Sequence, residues 1–107
     1  MTGFDERQRA WEQKIKHDSE FRFKVEMRRN KLLGQWAAEQ LGLEGDAIAA
    51  YVAEVVQSDL EEPGDDDVVR KVRGDFEAKG VAQDEAAIRA QIEANNTLAA
   101  EQIMAGE

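Results

Sequence analysis

Between Phe21 and Leu41 apolar residues return every three or four positions: Phe21, Val25, Leu32, Leu33, Trp36, Ala37 and Leu41. That is the period of one helix face. Asp18 or Ser19 is a suitable N-cap for this helix. Gly42 is a suitable stop, because glycine tolerates the left-handed C′ position. Gly34 falls inside the helix, where it costs about 1 kcal/mol relative to alanine. A second helix approaching closely at Gly34 would offset that cost. Trp36 is the largest apolar group in the body of the chain, which predicts that other segments pack around it.

Three further helices follow at short intervals. Asp46 caps one over about 46–61, with Ile48, Tyr51, Val52, Val55, Val56 and Leu60 on a single face. Pro63-Gly64 ends it, since proline lacks a donor and glycine turns the chain. The next runs over about 66–79, with Val69, Val72 and Phe76 inward, and stops at Lys79-Gly80. Asp84 caps the fourth, about 84–105, where Ile88, Ile92, Ala99 and Ile103 share a face beside Leu98 and Met104. Asn95-Asn96 weaken its middle. No β-branched alternation argues for a strand. Short connections between four helices predict an all-α fold, a small antiparallel four-helix bundle over 20–107.

Residues 1–19 break the pattern. After Met1 their large apolar groups are Phe4, Trp11 and Ile15, on one helical stripe among many charges. Asp18 falls in the middle of that stripe, so the apolar faces before and after it are separate. Three anchors hold such a segment weakly, and short isolated helices are marginal in water. The expectation is a mobile, partly disordered N-terminal arm that becomes helical when a partner accepts its stripe; the alternative is a first helix that simply docks on its own bundle.

The 107 residues make one domain's worth of chain, with a small core. Cysteine is absent, so no disulfide forms and a reducing, cytoplasmic setting fits. The N-terminus carries acids early and resembles neither a secretory signal nor a transit peptide. No apolar run reaches membrane-span length, so no direct membrane insertion is expected. The net charge of −9 is unevenly spread. Residues 1–31 hold nine Lys/Arg against six Asp/Glu, a balance of +3; residues 32–107 hold five against seventeen, a balance of −12. The acidic body disfavours nucleic acid as a partner. The basic third suits an acidic protein surface.

Catalytic and metal chemistry finds little to stand on. Asp65-Asp66-Asp67 are consecutive, unlike the alternating carboxylates of a Ca²⁺ loop, and are expected to form a solvated helix start. His17 is the single histidine, a surface residue in a charged arm, and no transition-metal set accompanies it. No Walker-type or GxGxxG loop and no nucleophile–base set is present. These observations predict a non-enzyme without cofactor or metal. Arg28, Arg29 and Lys31 form one dense basic cluster. It is either a solvated face paired with Glu26 and the acidic body, or a weak adenine-nucleotide site.

Three stretches are specific in wording: FDERQRAWEQKIKHD over 4–18, FKVEMRRNKLLGQWAAEQLG over 23–42 and EPGDDDVVRKVRGDFEAKG over 62–80. Together they resemble the ζ subunit family of α-proteobacterial F-type ATP synthases. Ile15 stands where that family suggests an aromatic or other bulky apolar residue. The resemblance implies a four-helix bundle carrying an inhibitory arm. The arm would insert at a catalytic α/β interface near the rotating γ subunit of the ATP synthase head and block ATP hydrolysis. Its contacts would then be Phe4, Arg7, Arg9, Trp11, Lys14, Ile15 and Lys16, and the protein would be cytoplasmic and held near the membrane through the synthase. The alternative is an acidic helical adaptor or nucleotide-sensing domain in which the arm is a mere tail.

Overall fold

The structure is a computed structural model that describes residues 19–59 and 64–106. Four helices occupy these residues: α1 Ser19–Gln40, α2 Asp46–Asp59, α3 Asp66–Lys79 and α4 Glu85–Met104. The predicted boundaries hold to within two residues wherever they are described. Leu60 and Pro63, predicted to finish and stop α2, lie outside the described residues, as does the arm over 1–18.

Side-chain pairs set the directions. Gly34 meets Val52 while Arg29 meets Asp59, so α1 and α2 run antiparallel. Arg28 bonds Gln102 and Gln40 bonds Gln83, which makes α1 and α4 antiparallel as well. Lys71 meets Glu54 and Tyr51 meets Asp75 between α2 and α3. Arg89–Asp66 and Arg73–Glu85 join α3 to α4. The result is an up-down-up-down bundle, with α1 and α3 parallel across the diagonal.

The helix ends follow local chemistry. Asp84 accepts a hydrogen bond from the Ala87 amide at 2.9 Å, as a capping aspartate should. Gly80 adopts φ 73°. Its amide reaches the Glu77 carbonyl and the Val81 amide reaches Phe76, a Schellman stop with Val81 folded onto the core. Gly42 ends α1 in the same way, with bonds to Glu39 and, from Leu43, to Ala38.

The core is built on Leu33, Ala37, Ala38 and Leu41 of α1, Tyr51 and Val55 of α2, Val68, Val69, Val72 and Phe76 of α3, and Ile88 and Ile92 of α4. Phe21 and Ala99 are buried beyond this cluster. Trp36 packs against this core as expected, but does not form its centre. It is half-buried at the rim, edge-on to Phe76 with ring centroids 5.6 Å apart, while Phe76 and Leu33 fill the centre. Asn95 is buried on α4; its Oδ1 accepts from Gln91, and its Nδ2 has no partner among the described residues, which is a cost to stability. Leu98 and Met104 are exposed.

Gly34 and Gly74 are both helical glycines in opposite settings. A Cβ on Gly34 would stand 2.9 Å from the Val52 Cα, a backbone atom that moves only with α2. A Cβ on Gly74 would meet nothing within 4 Å. Gly34→Ala should therefore destabilise by about 1–3 kcal/mol in spite of its better helix propensity. Gly74→Ala should stabilise by up to about 1 kcal/mol. Urea unfolding midpoints of the two variants should move in opposite directions.

Tyr51 supplies a second test. Burial, then the hydrogen bond to Asp75 at 2.8 Å and the charges of Asp75 and Glu54, push its phenol well above the ordinary tyrosine value. The raised value means that the folded state keeps a proton which the unfolded chain releases near pH ~10. The associated stability is complete below that pH and is lost as pH rises toward the folded value. Tyr51 is the chain's one tyrosine. Tyrosinate absorbance should stay absent through its usual titration range and appear together with loss of helix on alkaline unfolding. A normal titration at constant helicity would refute the buried Tyr51–Asp75 bond.

Candidate functional site

All seven expected partner contacts, Phe4, Arg7, Arg9, Trp11, Lys14, Ile15 and Lys16, lie outside the described residues, as does His17. The described part of the expected site is the basic cluster on α1, and the helix splits it. Residues 28 and 31 are three apart and share a face; residue 29 points elsewhere.

Arg29 is 4% exposed. Its Nη1 donates to Asp65 Oδ1 at 2.7 Å and its Nη2 lies 3.4 Å from Asp59 Oδ1. Nε and Nη2 also donate to Asn30 Oδ1, at 3.0 and 2.8 Å. Asn30 in turn donates from Nδ2 to Asp59 Oδ2 at 2.9 Å. The Arg29 guanidinium is thus held by the two ends of the α2–α3 connection, and it faces the bundle rather than a ligand.

Arg28 and Lys31 look outward. Arg28 Nη1 donates to Gln102 at 2.8 Å, and Lys31 is exposed. Together with Lys24 they border a groove of about 500 Å³. Its apolar lining is Phe23 and Met27 from α1, Val52 and Val56 from α2, and Ile103 from α4. Phe23 is 53% exposed, a large aromatic left open at the groove's end. Among the described residues no carboxylate lines it. An occupant must therefore bring apolar surface and negative charge together.

The acidic run Asp65-Asp66-Asp67 opens α3 as expected and Asp66 is exposed, but Asp67 is buried and all three carboxylates are paired. Asp65 turns to Arg29 and makes no side-chain cap to α3. Asp66 pairs with Arg89 and Asp67 with Arg70, at 3.1 and 2.9 Å. Asp67 is 9% exposed, and its Oδ2 has no partner among the described residues. The three carboxylates diverge toward three arginines instead of converging on a cation. Among the described residues no group of three or more His, Cys, Asp or Glu is placed to hold a metal.

A second polar cluster escaped the sequence pattern. Lys71 Nζ reaches Glu54 at 2.6 Å and Asp75 at 3.0 Å, and stands 5.2 Å from the Tyr51 ring. Burial pulls the Lys71 ammonium down, but hydrogen bonds to both acids together outweigh it and hold the ammonium above its usual range. Only the Lys71–Asp75 pair, four residues apart, was visible in the sequence. The cluster joins α2 to α3.

The family model of ATPase inhibitor subunit zeta matches residues 1–102. One solved structure, determined by solution NMR, is 49% identical, with a TM-score of 0.70; the match covers 79% of this chain and 96% of that one. No curated protein matches.

The buried network predicts an asymmetry between ion pairs. Asp59→Ala leaves the Arg29 guanidinium buried with a missing partner and should cost about 3–5 kcal/mol. Glu77→Ala breaks only the exposed pair with Arg73 and should change stability by less than about 1 kcal/mol. Urea unfolding checks both. Pairing Asp59→Ala with Arg29→Met in a double-mutant cycle should show strong non-additivity. Additive effects would mean that the pair is not coupled.

Proposed function

Because this chain belongs to the ATPase inhibitor subunit zeta family, we propose that it blocks ATP hydrolysis by an F-type ATP synthase by inserting residues 4–19 at a catalytic α/β interface near γ. The observation that carries this reading is the reach of the family match, which starts at residue 1 and takes in the arm together with the bundle. The arm's chemistry agrees. Phe4, Trp11 and Ile15 form a stripe suited to a helix-in-groove contact. Arg7, Arg9, Lys14 and Lys16 can meet carboxylates on an acidic head. Folding on binding costs about 2–5 kcal/mol of the gross interaction, so a few anchors must dominate the affinity.

Inhibition of this kind is mechanical. A helix ordered in an interface that must open and close during turnover holds that interface in one state. The bundle from residue 20 onward limits how far the arm travels. The protein acts from the aqueous side; among the described residues no helix is long and apolar enough to cross a membrane.

The test uses the full chain. Phe4→Ala with Trp11→Ala should weaken inhibition of ATP hydrolysis by the isolated catalytic head at least tenfold, about 1.4 kcal/mol or more. The four-helix bundle should stay folded, checked by its amide spectrum. Unchanged inhibition would remove the arm from the mechanism.

A further inference from the structure

The groove bordered by Lys24, Arg28 and Lys31 opens at the N-terminal half of α1, where the arm joins the bundle. In a protein of net charge −9 it is an apolar channel edged by cations with no carboxylate among its described lining residues. Eighteen residues precede α1, which begins at Ser19, one helical turn before Phe23. We propose that the groove is the resting place of this chain's own arm: residues 4–16 fold back as a helix antiparallel to α1, with Phe4, Trp11 and Ile15 on the groove floor.

Three features of the sequence and the groove support this occupant. On a helical wheel Asp5 and Glu12 fall roughly 90° to one side of the Phe4–Trp11–Ile15 stripe, with Arg7 and Lys14 on the other side. The arm therefore presents an acidic edge to a basic wall. Asp5 and Glu12 are seven residues apart, and so are Lys24 and Lys31, about 10 Å in each helix. Setting Glu12 against Lys24 and Asp5 against Lys31 gives one antiparallel register centred on Asp18. There His17 and Asp18, between the arm helix and the start of α1 at Ser19, leave the two-residue turn that a helical hairpin allows. Lys24 has an exposed i,i+4 partner in Glu20 at 3.5 Å, a weak pair that is easily exchanged.

The docked arm hides the same stripe that inhibition is proposed to use, so docking and inhibition exclude one another. That consequence rests on the inhibitor reading; the docking itself does not, and it is measured without any ATPase. The chain has no cysteine. Gln13→Cys therefore takes a single nitroxide label, on the side of the arm helix away from the stripe. In the full chain the label should quench the amides of Val52, Val56 and Ile103 by more than half, and leave those near Gly80 intact. Asp5→Lys with Glu12→Lys should abolish the quenching, and adding Lys24→Glu with Lys31→Glu should restore it. Quenching that only fades with distance from Ser19, indifferent to these charges, would overturn the proposal. So would quenching of isotope-labelled chains by separate spin-labelled chains, which would give the groove to a second copy. Groove amides that shift with ATP but ignore the label would assign it to a nucleotide and equally overturn it. If docking holds and the Lys24→Glu with Lys31→Glu chain, its arm released and unaltered, still fails to inhibit the catalytic head, the inhibitor reading fails and the docking stands.

Discussion

The buried guanidinium of Arg29 is the constraint on which this bundle turns. It sits four residues after Val25 and four before Leu33, on the face of α1 that otherwise packs inward. A charge there must be matched, and the match comes from Asp59 at the end of α2 and Asp65 just before α3, with Asn30 filling the remaining geometry. Desolvation makes such a group a poor source of net stability. It is a demanding source of register, because sliding α2 along α1 by one turn would strand the guanidinium among apolar groups. Asp65 does not cap α3: its Oδ1 is engaged by Arg29, and its backbone at φ −96°, ψ −8° is not the extended geometry of a capping side chain.

Further along α1 a different device takes over. Gly34 lets the α2 backbone come close at Val52, and the small Ala37 and Ala38 keep the helices close beyond it. The ion network fixes position, the glycine contact fixes distance, and Phe76 with Leu33 fills the space that remains. Tyr51, Lys71 and Asp75 then tie α2 to α3 on the outside.

Apolar period, aspartate caps and terminal glycines make the four helices readable from the amino-acid order alone, since these are local effects of the chain on itself. Burial ranked by size is less reliable. Trp36 is the bulkiest candidate, yet the positions nearest the bundle axis hold Leu33, Ala37 and Ala38, and the indole rests at the rim on Phe76. The basic cluster shows where sequence proximity misleads. Arg28, Arg29 and Lys31 look like one patch, but at 100° per residue 28 and 31 share a face and 29 does not. That separation follows from the helix period alone. The partners of Arg29 and Asp65 do not, because they depend on how α1 meets the α2–α3 connection. The groove was hidden for the same reason: its walls come from three helices.

The charge distribution separates the cations that build the fold from those that can serve a partner. Arg29, Arg70, Arg73 and Arg89 each bind acids of the bundle, and Lys71 does the same. Their charge is spent within the bundle. Lys24 and Lys31, by contrast, face outward from α1 close to the root of the arm. An arm that rests there is held by exposed ion pairs and three apolar anchors, a weak contact by construction. If it is docked nine-tenths of the time, its apparent affinity for a target falls about tenfold, a barrier of about 1.4 kcal/mol. A tighter resting site would silence the inhibitor, and none at all would leave an aromatic stripe in water. The modest chemistry of the groove is therefore suited to a segment that must be kept covered and still be released.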